Sequence, residues 1–150
     1  MTAPTSPGPL HRAAAFIWFA VWMGSLALPV AELEGNPPEQ VWGFYVLMSG
    51  WLGPLTGQFG WFANITFLVT IGRRFASVTG GRFDVVLALV SLACAGNALL
   101  WRAMYDDVGS TPIISFSAGF YAWQVAIVGS AVSAILSLPQ ATSDVLSEAG

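Results

Sequence analysis

Side chains able to do acid–base, redox or metal chemistry are few in this chain. It has one His (His11), one Cys (Cys94), eight acidic residues, five arginines and no lysine. Haem ligation by paired histidines is excluded, because His11 stands alone ahead of the first apolar stretch. Cys94 has no partner for a redox pair or a metal cluster and is expected to be a small buried apolar residue. No Gly-rich phosphate loop, Ser/His pair or membrane-protease arrangement occurs. The chain reads as a non-enzyme for which no cofactor and no metal site are expected.

Ionisable groups also avoid four long runs: Ala13 to Ala31, Val41 to Gly72, Val85 to Trp101 and Val108 to Ser143 carry no charge. A coupled transporter or proton pump needs a titrating or ion-pairing group at membrane depth, so that class is disfavoured. What the runs do contain is uncharged polarity, chiefly Gln58, Asn64, Asn97 and Gln124, with Thr66, Ser91, Ser130 and Ser133. An amide facing lipid finds no water, so these side chains should turn inward and hydrogen-bond between helices. Asn64 and Gln124 are expected at similar depth, near the middle. Together with Trp123 they could instead line a polar pocket for a pigment, quinone or lipid head group. The Asn64-Ile65-Thr66 sequon would lie too deep for a sugar to be attached.

Composition states what must position these groups. Of the 150 residues, 55% are hydrophobic and 9% charged, against about 25% charged in an average soluble domain. Mean hydropathy is +0.68. These values exclude a water-soluble globule, a nucleic-acid binder and a disordered chain. A span needs about 20 apolar residues, and the runs lack the alternation of a β-barrel strand. The expected fold is therefore all-α, a bundle of four transmembrane helices at about 12–31, 56–73, 84–102 and 112–137, forming one integral membrane domain over 1–150. Ser110, Thr111 and Pro112 would open the last helix.

The second run is too long for one straight span. Its glycines and Pro54 suggest a break, with an interfacial segment at about 41–52 carrying Trp42 and Trp51. A single tilted, Pro-kinked helix is the alternative. Residues 1–11 should form a disordered cytoplasmic arm and 139–150 a cytoplasmic tail. With the N-terminus inside, Arg12, Arg73, Arg74 and Arg82 face the cytoplasm and only Arg102 faces out, which satisfies the positive-inside rule. Both termini are then cytoplasmic. Arg12, the stretch to Leu28 and a small residue at Ala27 or Ala31 also fit a cleaved signal peptide, although Pro29 crowds both positions. Arg102 should form a solvated pair with Asp106 or Asp107. Trp42, Trp51, Trp61 and Trp101 should belong to the outer aromatic belt; Trp18, Trp22 and Trp123 lie deeper.

In the fourth run, Ala118, Ala122, Ala126, Ser130 and Ala134 recur every four residues. Such a small-residue stripe lets two helix backbones approach closely. Its partner is either another helix of the same chain or a second protein.

Gly50-Trp51-Leu52-Gly53, then Gln58-Phe59-Gly60-Trp61-Phe62-Ala63-Asn64, then an apolar stretch ending in Arg73-Arg74, resembles a block found in a group of small uncharacterised bacterial multi-pass inner-membrane proteins. Gly119-Phe120-Tyr121-Ala122-Trp123 resembles the aromatic motif opening their last helix. The resemblance covers roughly residues 50–125. Where that group often has Pro after the Asn, this chain has Ile65, so no shared kink follows. The resemblance implies a bacterial membrane protein with several spans and supplies no activity.

The expected function is a non-catalytic accessory or scaffold subunit of the bacterial inner membrane that docks through the small-residue stripe. The alternative is a membrane binder or carrier of a hydrophobic small molecule. The partners implied are the lipid bilayer, and another membrane protein or a second copy; no nucleic acid is expected.

Overall fold

The computed structural model describes residues 9–78, 81–105 and 109–137, with side chains from Arg12 onward. Residues 1–8 of the expected arm, the expected tail 139–150, the side chain of His11, and Asp106 and Asp107 lie outside these, whereas residues 9–11 of that arm are helical, as the start of the first helix.

The all-α expectation is corrected. Among the described residues the chain has five α-helices and a four-stranded antiparallel sheet that curls over one end of them. In chain order the elements are α1 (Pro9–Leu26), β1 (Pro29–Leu33), β2 (Glu39–Trp42), α2 (Gly43–Ser49), a 3₁₀ helix (Gly50–Thr56), α3 (Phe62–Phe75), α4 (Arg82–Ala98), β3 (Ala103–Tyr105), β4 (Ser110–Phe116) and α5 (Ala118–Leu136). Among the described residues one helix, Ala118–Leu136, is long and apolar enough to cross a membrane, not four; Arg12–Leu26 is apolar but shorter.

The strands occupy what the uncharged runs offered as helix ends. Residues 29–31 and 112–116 fall inside expected spans but are strand, 103–105 follow directly on the expected third span, and Pro112 lies inside β4 rather than in a first helical turn. An uncharged run records only the absence of charge; a strand lined by Ser, Thr, Ile and Phe is as uncharged as a helix. The period of two is nevertheless visible in β1, where Ala31 and Leu33 are buried between Val30, Glu32 and Glu34. The segment expected at the interface, 41–52, begins as the end of β2. It continues as α2 and the 3₁₀ helix, with Phe44, Met48 and Trp51 exposed.

Sheet order is β2-β1-β4-β3. Cα partners place Glu39 with Leu33, Val41 with Ala31, Leu33 with Ile113, Ala31 with Phe116 and Met104 with Thr111. Paired residues share a face, so Ala31, Leu33, Val41, Met104, Ile113 and Phe116 form one apolar surface with Glu39 and Thr111 on the same side. A bulge between Glu32 and Leu33 keeps Phe116 on that side.

At the opposite end, arginines tie the helix termini together. Arg12 donates to Ser77 Oγ (2.7 Å), Arg73 pairs with Asp84 (2.7 Å), and Arg74 donates to Ser137 Oγ (3.3 Å). The starts of α1 and α4 therefore meet the ends of α3 and α5. Four arginines gather here, whereas Arg102 lies at the sheet end.

Several helices keep small residues inward and large apolar ones outward. Buried positions recur at helical spacing and are mostly small, Ala88, Ser91, Ala95 and Ala98 in α4 and Ala126, Ser130, Ala131 and Ala134 in α5, with Phe67, Leu87, Phe120 and Ile127 as larger buried residues. Large apolar side chains point outward, with Phe16 64% exposed, Leu89 57% and Leu136 79%. Small residues inside and large ones outside is the pattern of helices packed in lipid. Gly129 takes this to its limit, because an added Cβ would stand 2.5 Å from the Trp18 ring, whose Nε1 donates to Ser133 Oγ (3.0 Å). Gly129→Ala should lower stability by about 1–3 kcal/mol through overpacking. Gly72→Ala, with no atom within 4 Å of the new Cβ, should raise stability slightly through helix propensity. Thermal midpoints in detergent would check both.

Candidate functional site

Asn64 is the centre of the buried polar network. It sits on the inner face of α3, 7% exposed. Its Oδ1 accepts the indole N–H groups of Trp22 from α1 (2.9 Å) and Trp123 from α5 (2.8 Å), and its Nδ2 donates to the Trp61 carbonyl (2.9 Å). Both acceptor positions and one donor are satisfied, so one amide joins three helices. Trp22 also stacks on Phe19 and makes a tilted contact with Phe67, which helps hold the indole in place.

The other amides fasten further elements. Gln124 Nε2 donates to the Ala95 carbonyl (2.9 Å), joining α5 to α4. Gln58 Nε2 donates to the Ala103 carbonyl (2.6 Å), so the loop before α3 holds β3. Asn97 Oδ1 accepts the Phe59 N–H (2.7 Å) and the Trp101 indole (3.2 Å), while its Nδ2 donates to the Gly57 carbonyl (3.3 Å). Ser91 Oγ donates to Thr66 Oγ1 (2.6 Å), closing α4 onto α3.

Directly above the Asn64 network lies a cavity of about 60 Å³ between the helix ends and the concave face of the sheet. Its floor is Asn64, Trp61 and Trp123. Its roof comes from Ala31, Ile113, Phe116 and Met104, and the side next to α2 from Val46 and Leu47. The surface is almost wholly apolar, since the indoles have committed their N–H groups to Asn64 and Leu47. Of the expected pocket residues, the structure brings Asn64 and Trp123 together at this cavity. Gln124 is turned away to α4. The sheet roof was missed by sequence reasoning, although the alternation in Val30-Ala31-Glu32-Leu33-Glu34 is a signal that could have found it.

The small-residue stripe divides along its length. Ala118 is exposed and Ala122 half-buried, but Ala126, Ser130 and Ala134 are buried inside the bundle. Ala126 packs in one cluster with Ala15, Ala63 and Ala95, and Ala134 in another with Ala88 and Ala131. Their neighbours are helices of the same chain.

Trp42 and Trp51 are exposed at the sheet end, whereas Trp61 and Trp101 are half-buried against the cavity. Cys94 is half-buried on α4. No protein family, no curated protein and no solved structure was found to match this chain.

Proposed function

We propose that the protein is a non-catalytic, multi-pass membrane protein of the bacterial inner membrane that binds the alkyl part of a lipid-like molecule under its sheet. The observation that carries this reading is the apolar cavity between the bundle and the sheet, floored by the Asn64–Trp123 pair. A volume of about 60 Å³ leaves room for the end of an alkyl chain rather than a ring system; pockets for drug-sized ligands run from about 300 Å³ upward. That difference favours a lipid over a quinone or pigment.

Membrane residence is supported by the outward Phe, Leu and Val side chains of α1, α3, α4 and α5. The four arginines at one end support a cytoplasmic face there, with both termini inside. Docking of a second protein through the stripe has less support, because its central members already contact this chain's own helices.

Native mass spectrometry of the mildly extracted full-length protein tests the reading. The wild type should retain one alkyl-chain molecule per protein. Val46→Trp, which fills the cavity from its half-exposed rim, should lose it. A wild type that flies as a clean monomer with nothing bound would contradict the proposal.

A further inference from the structure

A second, larger cavity of about 270 Å³ opens further along the same face of the sheet, where Leu33, Val41 and Met104 also line it. It is lined by Glu39 and Trp42 from β2, Tyr105 from β3, Thr111 from β4 and Tyr45 from α2. In the strand order β2-β1-β4-β3, β2 and β3 are the two edges. Both line one cavity, so the sheet curls until its edges face each other across a gap. That gap is the mouth of the half-barrel.

Met104 alone lines both this mouth and the apolar chamber beneath. Its register partner Thr111 faces the mouth, and Ile113, two residues along β4 on the same face, faces the chamber. The concave surface thus runs from a polar rim to an apolar base, with a flexible thioether side chain at the step.

The chemistry of the rim selects a head group. Among the described residues, Glu39 is the one charged side chain lining the mouth, and no cation lines it. Trp42, Tyr45 and Tyr105 present aromatic surface that is 50%, 58% and 53% exposed. A carboxylate that lines one cavity with three aromatic residues attracts an ammonium group by charge, with cation–π contact available from the same lining, and repels phosphate or sulfate. We infer that the mouth binds the ammonium head of a single-chain amphiphile whose tail passes Met104 into the chamber. This rests on the chamber reading above, and the test separates the two.

Full-length protein in a neutral, steroid-based detergent that carries no alkyl tail is titrated with hexyltrimethylammonium, hexanol and hexyl sulfate, followed by tryptophan emission. Hexyltrimethylammonium should bind about tenfold more tightly than hexanol, the factor that about 1.4 kcal/mol of head-group attraction gives. Hexyl sulfate should bind more weakly than hexanol. Glu39→Gln, at an exposed position on an edge strand, should bring the ammonium probe to within about twofold of hexanol and leave hexanol unchanged. Met104→Trp should weaken both. If hexanol binds but ammonium and sulfate bind equally, the head site is overturned and the chamber stands. If none of the three binds, both are overturned.

Discussion

Asn64→Leu should be the most damaging amide substitution in the protein, lowering stability by about 3–5 kcal/mol. Leucine has similar bulk but no acceptor, so the buried indole N–H groups of Trp22 and Trp123 would both lose their partner. Each orphaned buried donor costs about 1–3 kcal/mol, and the Trp61 carbonyl loses its bond as well. Trp123→Phe should cost less, because donor and bond disappear together and the ring remains. Denaturation in mixed micelles would rank the two. Equal and small effects would mean that the indoles find other partners and that Asn64 does not organise the bundle. Because the cavity floor is this same pair, Asn64→Leu should also release any retained alkyl-chain ligand.

The second large effect is expected at Ala126. This residue is 0% exposed and shares a cluster with Ala15, Ala63 and Ala95, each 2% exposed or less. Leucine there inserts three carbons where helix backbones lie close, and the overpacking should cost about 3 kcal/mol or more. Folded yield should fall sharply. Val125→Leu, one position along on a side chain 55% exposed, should leave yield and melting unchanged. A folded Ala126→Leu protein that has merely lost a binding partner would instead restore the stripe as a docking face. The pair of variants therefore distinguishes internal packing from assembly in one experiment.

Part of the helical packing could be read from residue types, because amides and charges within an apolar chain leave strong signals. Amides within apolar runs do bond between elements, as Gln124 to α4 and Asn64 to two indoles show. The clustering of Arg12, Arg73, Arg74 and Arg82 does mark one end of the molecule. The sheet was not read, for a physical reason. Pro29 and the alternation after it are the one local signal for β1, but β4 has neutral or apolar side chains and adjoins a helix of the same composition, so no charge or turn signal separates strand from helix at Ser117. Ser110-Thr111-Pro112 fits a helix start equally well in isolation. Its pairing with Ala103–Tyr105 and with β1 decides the matter, and long-range pairing is not local information. The candidate site was half legible for the same reason. Its floor consists of bundle residues, and its roof is the sheet.

Everything proposed for the chamber depends on lipid surrounding the helices while the sheet stands outside it. Single cysteines at Phe16, Leu89 and Val128 on the helices, and at Glu32 and Ser115 on the sheet, with Cys94 replaced by Ala, can be spin-labelled in reconstituted bilayers. Collision with oxygen, which concentrates in lipid, and with a water-soluble nickel chelate is then measured at each. The three helix positions should be open to oxygen and closed to nickel, and the two sheet positions the reverse. Nickel access at Phe16, Leu89 and Val128 equal to that at Glu32 would contradict a lipid-embedded bundle.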